Sequence, residues 1–159
     1  VVIDMRVQKP VRVARTYTQK LIVPPREVFP LLCPVREAEW VAGWEPSFVF
    51  SESGYAEQDC VFITEGGGAE ADSVWVVSEW DPAAFRLVLI KVTPDKTVGR
   101  ITIVLTANAE NGTDAHITYM YTAITDSGVR FVRNYTEDFF VDFMKHWEEA
   151  LNNYLAKIL

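Results

Sequence analysis

Hydrophobic and polar positions alternate loosely along residues 11–23, a stretch rich in Val, Thr and Tyr, and the pattern predicts a strand with one face on a core. Pro24 and Pro25 stop it. The first amide of a helix has no partner, so a proline is tolerated there, and Pro25-Arg26-Glu27-Val28-Phe29 predicts a short helix limited by Pro30 and Pro34. Residues 35–40 predict a further helical turn, broken at Gly43. From Ser47 the pattern changes to apolar runs of strand length, at residues 48–50, 60–63, 74–77, 85–92 and 101–105. Turn residues separate them, among them Ser53-Gly54, Gly66-Gly67-Gly68 and Pro94-Asp95-Lys96. Asn111-Gly112 predicts a type I′ hairpin, because both central residues of that turn need positive φ. Beyond it, alternation from Ala115 to Ala123 places Ala115, Ile117, Tyr119, Tyr121 and Ala123 on one face, the one expected to be buried.

The period then lengthens. Phe139, Phe143, Trp147 and Leu151 recur at helical spacing, with Tyr154, Leu155 and Ile158 half a turn out of step, which predicts an amphipathic helix of about six turns. Thr136 followed by Glu137 and Asp138 suits its N-terminus, where the helix dipole favours acids, and Lys157 suits the other end. A preliminary turn is expected over residues 127–133. The order is therefore one strand, two short helices, six antiparallel strands and a long C-terminal helix, an α+β two-layer fold. A curved seven-stranded sheet cannot lie flat against one helix over its whole width, so large side chains or a cavity must occupy the space between them.

Composition narrows the partners. The 159 residues suit a single domain, with residues 1–10 as a loose leading segment, and 49% of them are hydrophobic. Acidic side chains outnumber basic ones by 22 to 15, a net charge of −7 that argues against binding a phosphate backbone. No apolar run reaches the roughly 18 residues of a membrane span, and Val1-Val2-Ile3-Asp4-Met5 lacks the basic start and apolar core of a secretory signal, so a cytoplasmic protein is expected. Cys33 and Cys60 read as packed thiols rather than nucleophiles. His116 falls on the outward face of its strand and His146 beside Lys145 on the helix; neither has a ligand partner at metal spacing, and no metal or other cofactor is expected. Gly66-Gly67-Gly68 is followed by no Lys-Ser or Lys-Thr and no helix, so it reads as a hairpin loop that flanks the pocket mouth rather than as a phosphate loop.

Several segments together resemble the START/Bet v 1-like superfamily, also known as SRPBCC or polyketide cyclase-like proteins. They are Val23-Pro24-Pro25-Arg26-Glu27-Val28-Phe29 after the first strand, Trp40-Val41-Ala42-Gly43-Trp44, Val74-Trp75-Val76-Val77 leading to Asp81-Pro82, Asn111-Gly112-Thr113, and residues 139–155. The resemblance spans nearly the whole chain and implies the helix-grip fold, a curved seven-stranded antiparallel sheet with two short helices and a long C-terminal helix. It also implies a cavity for a lipid, polyketide, aromatic or other hydrophobic small molecule. A minority of such proteins are cyclases, aromatases or hydrolases, and one branch acts as chaperone activators through the outer surface.

The residues add candidates for that cavity. Tyr119 and Tyr121 share the inward face of the last strand, and a buried hydroxyl needs a partner that a ligand oxygen can supply. Ile101, Ile103 and Leu105 face inward on the neighbouring strand, Phe85, Leu87 and Leu89 on the next, opposite Phe139, Phe143 and Trp147. Lys91 follows the phase of Leu87 and Leu89, and Glu79 shares a face with Trp75 and Val77, so either could orient a polar group of the ligand or lie where the strand has left the core. Trp40 and Trp44 either gate the cavity or close the core. The expected ligand-binding set is thus Tyr119, Tyr121, Trp75, Leu87 and Leu89, with Lys91, Ile103, Phe139, Phe143 and Trp147. The leading expectation is a binding protein for a hydrophobic small molecule; the alternatives are a cyclase- or aromatase-like enzyme and an interaction module, and a homodimer stays open.

Overall fold

Exposed and half-buried residues alternate along β1 (Arg12–Leu21), whose inner side chains Val13 and Tyr17 pack against the core half-buried and become fully buried near its end, at Gln19 and Leu21. The structure, a computed structural model, describes residues 9–68 and 70–159, so the expectations for residues 1–8 lie outside it. After β1 come α1 (Pro25–Val28), a 3₁₀ turn (Phe29–Leu32) and α2 (Pro34–Glu37), each opened by a proline within its first two positions. The strands β2 (Ser47–Phe50), β3 (Val61–Thr64), β4 (Ser73–Asp81), β5 (Arg86–Thr93), β6 (Thr97–Ala107) and β7 (Thr113–Ala123) follow. They form one antiparallel seven-stranded sheet in the order β1-β7-β6-β5-β4-β3-β2, so β1 closes back on the last strand of a meander. The helix-grip architecture expected from the sequence is present.

Two helices complete it. In α3 (Asp126–Asn134), longer than the expected turn, the Thr125 side chain accepts from the Gly128 amide at 3.2 Å. A Cβ at position 128 would sit 1.8 Å from the Lys96 carbonyl oxygen, so glycine lets this helix approach the β5–β6 turn. In α4 (Glu137–Ile158), Thr136 caps the first turn by accepting from the Phe139 amide at 3.2 Å. Gln19 Nε2 donates to the Met144 carbonyl at 3.0 Å and Asn152 Nδ2 to the Lys20 carbonyl at 2.9 Å, which fasten α4 along the β1 edge.

Three local expectations are corrected. The core face of α4 runs through Phe140, Met144, Leu151 and Leu155, while Phe139 is 59% exposed. Two apolar stripes lie side by side in the first half of this helix, and the fastenings to β1 select the second. The Asn111-Gly112 segment makes no two-residue hairpin: Asn111 has φ 60°, Gly112 lies outside the left-handed region, and the strands close at the Ala107–Thr113 pair. Asn108 Oδ1 accepts from the amides of Glu110 and Gly112, an internal cap that favours the wider loop. In β4, a bulge between Val77 and Glu79 shifts the phase, so Trp80 packs inward on Phe29 at 4.4 Å between ring centroids. Glu79 instead pairs with Arg86 at 2.9 Å on the outer face and leaves the site.

Cys33 and Cys60 are buried free thiols. His116 faces Thr18 and Thr106 on the outer side of the sheet, and His146 is exposed. Among the described residues, no helix is long and apolar enough to cross a membrane.

Candidate functional site

The antiparallel register lines up the inner face of the sheet in rungs. Trp80, Leu87, Ile103 and Ile117 form one; Val77, Leu89, Ile101 and Tyr119 form the next; Phe62, Trp75, Lys91, Gly99 and Tyr121 form the third. The first rung is filled. Leu87 and Ile117 have no exposed surface, and Phe29 from the 3₁₀ turn packs over this end against Trp80 and Phe85.

Above the second and third rungs the packing opens into a cavity of about 190 Å³. Its sheet wall is Phe62, Trp75, Leu89, Ile101 and Ile103. Phe143 and Trp147 of α4 cover it, and Val41 and Trp44 close the side that follows α2. The aromatic walls are fixed by one another: Phe62 stacks on Trp75 at 5.4 Å with planes 9° apart, and Trp44 meets Trp75 edge-on at 5.8 Å. Their indole nitrogens are occupied, Trp75 Nε1 donating to Thr64 Oγ1 at 2.9 Å and Trp44 Nε1 to the Pro34 carbonyl at 2.8 Å. The walls are therefore rigid, and their indole donors are not offered to a ligand.

Three ionisable side chains reach this space. Glu37, the last residue of α2, is half-buried and lines the cavity, and burial pushes its carboxyl up to about 8. Lys91 projects from β5 with Nζ 5.0 Å over the Trp75 ring, and burial, followed by the Lys96 charge, lowers its pKa. Tyr119 projects from β7, and burial, followed by neighbours including Tyr121 and Glu37, raises its pKa well above the usual range. None of the three has a hydrogen-bonding partner among the described residues, and no buried side-chain polar atom there is left sealed and unsatisfied. These groups instead face open space, where a ligand or water can reach them.

Two further spaces meet at Lys91. A side pocket of about 150 Å³ carries Lys91, Lys96, Thr93 and Tyr121 on its walls. A groove of about 480 Å³ runs from Trp44, Trp75 and Lys91 outward between residues 43–47 and residues 64–67. The glycine loop thus borders the mouth, as does Trp44. Trp40 does not: it is buried, donates Nε1 to the Leu31 carbonyl at 3.0 Å and stacks on Trp147 at 5.4 Å. The Tyr154 hydroxyl donates to Glu39, a second tie between α4 and the segment after α2.

Of the ten residues expected from the sequence, Trp75, Leu89, Lys91, Ile103, Tyr119, Phe143 and Trp147 meet at the central cavity. Tyr121 lies one rung over, in the side pocket, with burial pushing its hydroxyl up to about 12. Its ring occupies the place a side chain at Gly99 would take: a Cβ there would stand 2.8 Å from Tyr121 Cε1. Leu87 is packed out of reach under the filled rung, and Phe139 points to solvent because α4 turns the neighbouring stripe inward. Glu37, Val41 and Phe62 were missed. Glu37 and Val41 are four apart, but Arg36 and Glu39 stand in the same segment and α2 ends at Glu37, so the spacing does not single out Glu37 as the inward acid. Among the described residues no three His, Cys, Asp or Glu side chains gather as a metal site would need.

No protein-family model matches the sequence, and no curated protein matches it. Solved structures do. An uncharacterized protein from Rhizobium leguminosarum superposes with a TM-score of 0.66 at 11% identity, over 96% of this chain and 99% of that one. Ara h 8.0201 gives 0.67 at 12% identity, over 92% and 99%. Norcoclaurine synthase from Thalictrum flavum gives 0.67 at 8% identity, over 98% and 96%. At these identities the likeness is one of fold: this chain has the Bet v 1-like helix-grip fold.

Proposed function

We propose that this protein binds a small hydrophobic molecule carrying one or two polar groups in the cavity between α4 and the sheet. The observation that carries the reading is the pairing of rigid aromatic and aliphatic walls with three polar side chains that have no hydrogen-bonding partner among the described residues, Glu37, Lys91 and Tyr119. Apolar surface leaving water drives binding by about 25 cal/mol per Å², and the polar groups orient the molecule. The volume sets its size. About 190 Å³ is close to the 150 Å³ engineered cavity that admits benzene, so one ring with short substituents fits the cavity itself, and a longer molecule would have to run outward along the groove at Lys91. The Thalictrum synthase gives support of the same scale, because its fold has been solved with dopamine and hydroxybenzaldehyde, both single-ring molecules.

Calorimetric titration with 4-ethylphenol tests the reading. Saturable one-to-one binding with a dissociation constant on the order of 1–100 µM and a negative heat-capacity change is expected. Ile101→Trp, which fills the cavity from its floor, should abolish it while the protein stays folded. Binding that the filled variant retains in full contradicts the site.

A second reading, an enzyme moving a proton on a bound carbonyl compound, is favoured by one feature: a carboxyl raised by burial to about 8 and a tyrosine hydroxyl on the wall of one largely apolar cavity. Turnover of a bound enolisable ketone, followed by exchange of its α-hydrogens for deuterium, separates the two. Exchange lost in Glu37→Gln establishes the enzyme, and exchange no faster than in buffer leaves the binding protein.

A further inference from the structure

Lys91 is a half-buried ammonium with no counter-ion among the described residues. Its Nζ lies over the Trp75 ring and, among the described residues, forms neither a hydrogen bond nor an ion pair. Glu70, whose charge favours the ionised Lys91, is itself held by Lys96 Nζ at 3.1 Å. A cation in such a place is costly unless something supplies the missing charge. The position is also particular in the fold: Lys91 stands where the apolar cavity, the side pocket and the outward groove meet, with the side-chain-free Gly99 beside it in register. A molecule whose ring fills the cavity can therefore set its polar end at Nζ, with Thr93 and Tyr121 beyond.

Resting on the binding function proposed above, we propose that the ligand is a single-ring carboxylate, its ring among Trp75, Leu89 and Ile101 and its carboxylate on Lys91. The charges at this junction fit a monoanion. Lys96 is already paired with Glu70, so Lys91 is the ammonium at this junction left without an ion-pair partner among the described residues, while Glu65 on the side pocket and Glu45 on the groove disfavour the second negative charge of a dianionic phosphate. Glu37 does not oppose it, because burial keeps its carboxyl protonated up to about 8, so at neutral pH it donates a hydrogen bond instead of repelling an anion.

The test uses an acid and alcohol of nearly equal shape, 3-phenylpropionate and 3-phenylpropan-1-ol, titrated calorimetrically into the whole protein at pH 7. The acid should bind the wild type at least about tenfold more tightly, the usual scale for a charge-assisted bond in a dry site. In Lys91→Met this preference should vanish, with saturable binding of the alcohol retained as the sign that the cavity is intact. In Lys96→Met it should fall only about twofold, because that ammonium already has Glu70. A wild type that binds the alcohol as tightly as the acid overturns this inference and leaves the cavity reading standing. So does an acid preference that survives in Lys91→Met. Binding of neither molecule overturns both. If Lys91→Met does not fold, the wild-type ratio alone decides.

Discussion

At the rung of Trp80, Leu87, Ile103 and Ile117, every inward side chain is large and apolar, and Phe29 packs over the top. Two rungs away, at Phe62, Trp75, Lys91, Gly99 and Tyr121, the same sheet and the same helix enclose open space. The fold is common to both ends, so it does not decide which is hollow. The contents of the rungs do. Leu and Ile close the first rung with almost no exposed surface, whereas at the third a lysine stem and the stacked rings of Phe62 and Trp75, braced edge-on by Trp44, hold the walls apart. The bulge in β4 contributes by turning Trp80 to the closed end and Glu79 away from the open one.

The largest expected effect breaks the closed end. Phe29→Ala should destabilise the protein by about 3–5 kcal/mol in urea unfolding, the cost of a fully buried aromatic whose site cannot collapse. If the loss is under 1 kcal/mol, the closed end is not the packed one. Glu37→Gln sharpens the contrast at the open end through pH. The folded pKa near 8 lies above the unfolded value of 4.5, so the folded state binds the extra proton, and wild-type stability falls as pH rises from about 5 to 8 and levels off above. Relative to the variant, the fall should be on the order of 2 kcal/mol, less than full burial would give because the cavity admits water. Parallel pH profiles of the two proteins would place the Glu37 carboxyl in solvent.

Tyr119→Phe should change stability by less than about 1 kcal/mol, since its hydroxyl bonds no group among the described residues, yet weaken 4-ethylphenol binding about fivefold. A large stability loss with unchanged affinity would move that hydroxyl from the cavity to the core. The smallest effect is a control on the helix: Phe139→Ala should cost no more than about 0.5 kcal/mol, because the ring is largely in solvent. A core-sized loss would restore the helix register read from the periodicity alone.

The fold was legible because it rests on periods and punctuation. Alternation in Ala115–Ala123 placed Tyr119 and Tyr121 on the inner face, the paired prolines bounded the short helices, and Thr136 marked the start of α4. What escaped was local competition between near-equal choices. Phe139 and Phe140 offer two apolar stripes 100° apart, and only Gln19 and Asn152 on either side of the β1 contact select between them. The bulge after Val77 carries no glycine or proline to announce it, and Asn108 outcompetes the Asn-Gly turn through its own side chain. Lys91 could be placed by phase, one strand at a time. Glu37 could not, because its place on the cavity wall depends on how α2 folds across the sheet rather than on anything within the strands.

Intermolecular NOEs from the ring of bound 4-ethylphenol, measured on the labelled protein, test the central claim most directly. The account predicts contacts to Trp75, Leu89, Ile101 and Tyr119 and none to Phe29, Leu87 or Ile117. Contacts at the filled rung, or only at surface residues such as Phe50 and Phe139, would contradict it.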